Sequence, residues 1–258
     1  MANNDADKLR EILKGGTKNG CGTWVQSPSP DVCEYVSSYF SFVVIDLEHG
    51  AIDRGHVPNM VRAIKSRRCI AVARLLNSDP DIIKSILDSG VSGIILPNVK
   101  SAAQLRGSVE AACWPPRGKR GVGFSKANMF GLEFETYKNS EAISPVIIAQ
   151  IESKEGLEDL EDILKVDALD GVIVGPYDLS ASLNLLADFD NPVMEDALDF
   201  IIHACNKRQI PVGLHVVTPL KAEYEKAIAR GFSWIALGTE FQFLRYGMLQ
   251  AEIVADAN

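Results

Sequence analysis

Val146-Ile147-Ile148-Ala149-Gln150-Ile151-Glu152 is an apolar run that ends in two polar side chains spaced i, i+2. In a strand that spacing puts Gln150 and Glu152 on the same side. A carboxylate at the carboxyl end of a buried parallel strand is costly unless it is paired, hydrogen-bonded or bound to a cation. Glu152 therefore needs a neutralising partner.

The same grammar recurs along the chain: an apolar β-rich run, then polar residues, then a helical pattern. It begins at Cys21 to Gln26 and returns at Phe42 to Ile45 before Asp46-Leu47-Glu48-His49-Gly50, then at Ile70 to Ala73 before Arg74. Gly93 to Leu96 precedes Pro97-Asn98-Val99-Lys100, and the 146–152 run follows. The last three are Gly171 to Val174 before Gly175-Pro176-Tyr177-Asp178, Val212 to Val217 around His215, and Trp234 to Leu237 before Gly238-Thr239-Glu240. About eight such units is the number that closes a parallel barrel inside a ring of helices. The expected fold is an α/β (β/α)8 TIM barrel.

Between the runs, Asp79-Pro80-Asp81 opens a helix carrying Ile82, Ile83, Ile86 and Leu87 that stops at Gly90. Gly156 to Leu164 reads as another, its acids crowding the first turns where the helix dipole favours them. The segment from Phe241 to Ala255 is apolar on a broad face with Phe243, Leu244, Met248 and Leu249, and is expected to close the ring or pack on a neighbouring subunit.

A length of 258 residues without a linker or charge block fits one barrel domain over 1–258, with residues 1–20 as an N-terminal helix and lead-in. Net charge is -8, and the 26 basic residues are scattered, so nucleic acid and anionic membrane surfaces are not expected partners. The start, Met1 to Asp7, is polar and acidic, and no apolar stretch is long enough to span a bilayer, which reads as a cytoplasmic protein. Cys21, Cys33, Cys69, Cys113 and Cys205 form no close pair and read as small buried hydrophobes. Gly15 to Gly20 reads as a turn and not a phosphate loop, since no strand precedes it. No Gly-x-Ser-x-Gly elbow supports hydrolase chemistry.

Polar groups at the run ends gather on one face of the barrel: Asp46, Glu48, His49, Arg74, Gln150, Glu152 and Asp178. Glu152 and Asp178 stand at the ends of adjacent strands, and two carboxylates with water suit Mg2+ or Mn2+. The alternative is that they pair with arginines or cap the following helices. Asp46 lies three residues before His49, close enough to orient an imidazole as a general base. Arg74 is placed to bind a carboxylate or stabilise an enolate, or else to form an ion pair with Asp46 or Glu48.

Taken in order, Ile45-Asp46-Leu47-Glu48-His49-Gly50, Ala73-Arg74, Leu96-Pro97-Asn98-Val99, Pro115 to Gly123, Gln150-Ile151-Glu152 and Gly175 to Ser180 resemble the motifs of the HpcH/HpaI class II pyruvate aldolases. Asn128-Met129-Phe130-Gly131 is similar to the 2-keto-3-deoxyglucarate aldolase branch, near the 2,4-dihydroxyhept-2-ene-1,7-dioate aldolase type. The resemblance implies cleavage of 4-hydroxy-2-oxo acids into pyruvate and an aldehyde, with a divalent ion (Mg2+, Mn2+ or Co2+) on Glu152 and Asp178. It also implies catalytic roles for His49, Asp46 and Arg74, a pocket lined by Gln150, and backbone N–H groups around Tyr177 and Asp178 receiving the substrate carboxylate. Asp88 matches an acid supplied to a neighbouring subunit, which implies a homo-oligomer, a hexamer or trimer of dimers. The substrate is then a small 2-oxo acid of the pyruvate or oxaloacetate type.

Two departures bear on substrate. His215 stands where an aliphatic residue near the acceptor aldehyde is usual, and is either a contact for a hydroxylated or anionic aldehyde or a satisfied inner-barrel group. Tyr177 replaces a small residue and narrows the site if it points inward. The mixed-charge loop from Arg120 through Lys126 to Glu135 fits a lid or an interface segment, with Lys126 a contact for a carboxylated aldehyde or an exposed solvated lysine. Two other chemistries stay open: a Schiff base on Lys100, and the same enolate reacting with oxaloacetate, citrate-synthase-like or as a decarboxylase.

Overall fold

Buried on both faces, strands of a parallel sheet need near-continuous apolar runs, and all eight runs are strands. They are β1 (Cys21–Val25), β2 (Phe42–Asp46), β3 (Ile70–Arg74) and β4 (Gly93–Leu96). β5 (Val146–Ile151), β6 (Gly171–Val174), β7 (Val212–Val216) and β8 (Trp234–Thr239) follow. Each pairs in parallel with the next, and β8 pairs with β1, so the barrel closes. The computed structural model describes residues 5–15, 20–140 and 144–251. Most of the 15–20 turn and the end of the C-terminal segment, from 252 on, lie outside the described residues.

The helices are α1 (Asp5–Leu13), α2 (Pro30–Val36), α3 (Val57–Ser66) and α4 (Pro80–Asp88). Next come α5 (Ala102–Ala112), α6 (Phe134–Lys138), α7 (Lys154–Glu158) and α8 (Leu160–Ile163). The last are α9 (Pro176–Ser182), α10 (Pro192–Lys207), α11 (Lys221–Arg230) and α12 (Glu240–Gln250). None of the described helices is long and apolar enough to cross a membrane. Asp79 caps α4 as its sequence implies, accepting the N–H groups of Asp81 and Ile82, and Gly90 takes the left-handed backbone after it. The helix expected over 156–164 is instead two short ones. Asp159 leaves helical geometry between them and accepts the Ala102 N–H at 2.7 Å, so it ties the break to the start of α5.

Large and small side chains alternate inside the barrel. Phe42 and Trp234 meet edge to face at 5.8 Å, and each fills space left by a glycine: a Cβ at Gly22 or Gly213 would stand 2.1 Å from the facing ring. Leu9 and Leu13 of α1 join this inner cluster, and Leu13 lies against Gly171 and Ser233 at strand beginnings. The helix α1 thus plugs the amino-terminal end of the barrel. Among the described residues only the carboxyl end is left open for a site.

The 120–133 loop corrects the lid expectation for its own barrel. It runs along α4, where Gly121 lies against Lys84, and reaches Gly90, whose Cβ would meet Ala127 at 3.5 Å. Helix ends of this kind lie beside strand beginnings, so the loop sits at the end remote from the open mouth. Asn128 fixes it by accepting from Ser125 and Gly131 and donating to the Gly123 carbonyl. Lys126 belongs to this remote loop, beside Gly90, and burial first, then the charges of Lys65 and Arg62, lower its pKa.

Candidate active site

Asp46, the last residue of β2, is fully buried and accepts five hydrogen bonds. Arg74, at the end of β3 and paired in register with it, donates through Nε at 2.9 Å and Nη2 at 2.8 Å. Gln26 Nε2 donates at 3.0 Å, and the backbone N–H groups of Glu48 and His49 each donate at 3.2 Å. Burial works to raise the Asp46 pKa, but Arg74, Gln26 and His49 outweigh it and hold the carboxyl below its ordinary range. Asp46 therefore meets His49 at the backbone. With its lone pairs taken, it shapes the turn that carries His49 and leaves the imidazole exposed at the mouth.

Arg74 is fixed on three sides. Beyond its fork on Asp46, Nη1 lies 3.2 Å from Glu48 Oε2, and the guanidinium stacks 4.5 Å above the Trp24 ring. The ion pair expected as the alternative for Arg74 is thus present, with both Asp46 and Glu48, and the same held cation lines the open mouth. On β7, His215 lies against Trp24 with ring centroids 5.0 Å apart. Burial first, and Arg74 second, push its pKa down to about 3, and Nε2, shut off from water, has no hydrogen-bond partner.

Glu152 follows β5 directly. Oε1 accepts the Asn98 N–H at 2.7 Å, and Oε2 accepts from the Gln150 amide, confirming that the two side chains share a side. Gly175 leaves it room, since a Cβ there would come within 2.6 Å of Oε2. Burial, with repulsion from Asp178, raises the Glu152 pKa despite these donors and Arg74. Asp178, on the first turn of α9, is exposed at the same mouth. Glu48 is the acid whose placement the sequence left vague. Burial, then repulsion from Glu152, Asp46 and Asp178, pushes it up to about 7 against the pull of Arg74.

Two cavities of about 300 Å³ each meet here and share His49 and Asp178. One is walled by Trp24, Gln26, Arg74, Gln150, Tyr177 and His215, and the other by Glu48, Asn98, Lys100 and Glu152. Tyr177 lines the first of these cavities, half-exposed, with its ring set edge-on against Phe189 at 4.9 Å. Gln150 leaves its Oε1 without a partner inside. Lys100 is exposed and pairs with Glu155 at 3.4 Å, outside the apolar enclosure that a Schiff-base lysine uses. Asp88 is not brought to this mouth. It ends α4 at the remote end and pairs with the buried Arg120 at 3.0 Å, which also donates to the Tyr137 hydroxyl.

None of the five cysteines lines these two cavities. Four are buried and Cys21 is half-buried, and burial raises the thiol pKa of Cys21, Cys33 and Cys205 to about 12. Sequence reasoning missed Trp24 and Gln26 as site residues. Their only signal was position at the end of the first run.

The sequence model described as HpcH/HpaI aldolase/citrate lyase matches residues 21–245. A 5-keto-4-deoxy-D-glucarate aldolase of Klebsiella pneumoniae is 30% identical over 226 residues, 87% of each chain. The crystal structure of an HpcH/HpaI aldolase/citrate lyase family protein from Burkholderia cenocepacia superposes with a TM-score of 0.89 at 26% identity, covering 95% of this chain and 97% of that one. The citrate synthase SbnG gives 0.80 at 27% identity, covering 95% of both chains. With its barrel matched from the first strand into the last helix, the chain is a carbon–carbon lyase that belongs to the HpcH/HpaI aldolase/citrate lyase family.

Proposed function

We propose that the protein is a metal-dependent (class II) aldolase that cleaves 4-hydroxy-2-oxo acids to pyruvate and an aldehyde, and runs the reverse condensation. The observation that carries this reading is the buried Glu152, set beside Asp178 and across the mouth from the fixed Arg74. The residues fit a divalent ion. Two hard carboxylate donors face one cavity, their mutual repulsion is what a cation removes, and Gly175 keeps the Glu152 carboxylate free of a clash. No group of three or more His, Cys, Asp or Glu side chains among the described residues forms a closed metal cage. A pair of ligands leaves coordination positions for a chelating 2-oxo acid.

Glu152 and Asp178 would hold the ion. When bound, it supplies Lewis-acid charge that polarises the 2-oxo group and offsets charge on the enolate. Arg74 presents its guanidinium to the carbonyl oxygen side, and Gln150 orients the same end of the substrate. In cleavage, His49 takes the 4-hydroxyl proton as the C3–C4 bond breaks, releasing the aldehyde and leaving the pyruvate enolate. Protonation at C3 then yields pyruvate. His215 and Tyr177 face the aldehyde end.

The similarity to 5-keto-4-deoxy-D-glucarate aldolases makes a hydroxylated dicarboxylic keto acid the first substrate to try. We also read the enzyme as a cytoplasmic homo-oligomer. Helix α12 leaves Leu244, Met248 and Leu249 exposed beside a groove of about 850 Å³ lined by Tyr35, Tyr39 and Phe243, and Asp88 would serve a neighbouring copy's site. A second reading, the enolate meeting oxaloacetate, draws on the similarity to the citrate synthase SbnG.

The test is pyruvate release from 5-keto-4-deoxy-D-glucarate, 2-keto-3-deoxyglucarate and other 4-hydroxy-2-oxo acids. Protein stripped with EDTA is compared with protein resupplied with Mg2+, Mn2+ or Co2+. Activity that is lost with EDTA, restored by metal and absent in Glu152→Ala supports the proposal. Activity indifferent to EDTA overturns the metal role, and a tricarboxylate formed from oxaloacetate without aldol cleavage favours the second reading.

A further inference from the structure

Glu240, the first residue of α12, is buried at 5% exposure, and no cation pairs with it among the described residues. Its carboxylate instead accepts the backbone N–H of Gln26, at 2.9 and 3.1 Å, and of Ser27, at 2.6 Å. The amino-terminal dipole of the eleven-residue α12 favours an anion at this place. A buried carboxylate without a counter-ion is still a costly way to satisfy two amides. Its position suggests what it secures.

Gln26 is a hub. Its side-chain amide donates to Asp46 at 3.0 Å, and its carbonyl accepts the Ala51 N–H at 2.9 Å. Gly50 lets the turn close on it, since a Cβ there would stand 2.9 Å from the Gln26 carbonyl oxygen and 2.2 Å from that of Asp46. Asp46 in turn holds Arg74 and the amides of Glu48 and His49.

We propose that Glu240 is a positioning residue for the site: by fixing Gln26 it sets both the Asp46–Arg74 pair and the turn that presents His49. The structural half stands on the contacts above, and the kinetic half rests on the aldolase reading. Oε1 accepts from both amides, so an isosteric glutamine can keep those two bonds through its carbonyl but loses the charge and sets an NH2 in place of Oε2, 3.1 Å from the Gln26 nitrogen. Glu240→Gln therefore loosens the hub without emptying the space, and Glu240→Ala releases it.

The experiment measures amide hydrogen exchange and steady-state kinetics in the metal-loaded full chain, for wild type, Glu240→Gln, Glu240→Ala, His49→Ala and the Glu240→Ala/His49→Ala double variant. Exchange is expected to speed up at Gln26 and Ser27 and also at Glu48, His49 and Ala51. The kcat is expected to fall on the order of 100-fold with KM little changed. His49→Ala is expected to cost less on the Glu240→Ala background than in wild type. Faster exchange confined to residues 26 and 27, or kinetic losses that multiply independently, would overturn the proposal. If Glu240→Ala does not fold, Glu240→Gln combined with His49→Ala carries both readouts. A wild-type enzyme that releases no pyruvate would retire the aldolase reading, and the exchange pattern would still decide the positioning role.

Discussion

Stripped of divalent cations, the barrel is expected to lose stability as pH rises from about 5 to about 8, with Glu48 responsible for a measurable part of the slope. Burial and the neighbouring acids push that carboxyl from its ordinary 4.5 up to about 7. Between these values the folded protein keeps a proton that the unfolded chain has released. Stability is therefore full below 4.5 and falls as pH climbs through 7. At about 1.36 kcal/mol per unit the shift is worth at most about 3 kcal/mol, and about half of that at a side chain 20% exposed to screening water. Glu152, raised mainly by burial, adds in the same direction. Asp46, held low by Arg74 and its other donors against burial, acts below this window, where its stabilisation is lost as pH falls. Urea unfolding of EDTA-treated wild type and Glu48→Gln at the two pH values isolates the difference, expected at about 1–3 kcal/mol. Adding Mg2+ or Mn2+ at the higher pH should restore about 2.7 kcal/mol at a hundredfold excess over Kd, and should do so far less in Glu152→Gln. Equal slopes in wild type and Glu48→Gln would refute the crowded-carboxylate account. Equal rescue of wild type and Glu152→Gln would remove Glu152 from the metal site.

Arg74→Lys keeps the charge but loses the fork on Asp46, so kcat/KM should fall on the order of 100-fold; full activity in steady-state assays would show that the fork is dispensable. Gly175→Ala should force Glu152 to rotate and cut cleavage by a similar order while circular dichroism shows the fold retained. Since burial holds the His215 pKa at about 3, His215→Leu should leave the shape of the rate–pH curve unchanged yet shift the ratio of kcat/KM between hydroxylated and unsubstituted aldehydes about tenfold; an unchanged ratio would return His215 to a purely structural role. Light scattering should find an oligomer in wild type and smaller species in Leu244→Glu with Met248→Glu; a monomeric wild type would remove the interface assignment of α12.

The strands were legible because burial on both faces leaves an unbroken apolar run, and the polar residue that ends each run marks the mouth. Glu152 and Gln150 followed from a two-residue spacing alone. The Asp46–His49 spacing was read correctly as a contact but assigned to the wrong atoms. A short acid after a strand competes for backbone N–H groups, and here the backbone wins over the imidazole. The direction of the 120–133 loop was not legible, since mixed charge says surface without saying which end. Glu240 and Gln26 lie 214 residues apart, and only closure of the barrel between β8 and β1 makes them neighbours.

Charge at the mouth constrains the proposed chemistry further. Glu48, Glu152, Glu155 and Asp178 line it against Lys100 and Arg74, and neither cation is free: Lys100 pairs with Glu155, and Arg74 is shared by Asp46 and Glu48. A 2-oxo acid arrives as an anion. Like charges in a partly desolvated cavity repel by several times what they would in water, so Arg74 alone is poorly placed to hold a carboxylate here. On the aldolase reading a divalent cation thus does more than polarise a carbonyl. Held by Glu152 and Asp178, its two positive charges would offset theirs, so substrate binding would depend on metal binding, and by linkage the substrate would tighten the metal by the same factor. On that reading the crowding of acids around Arg74 would suit a metal-gated site, because a mouth balanced in advance by arginines would bind the keto acid without the ion.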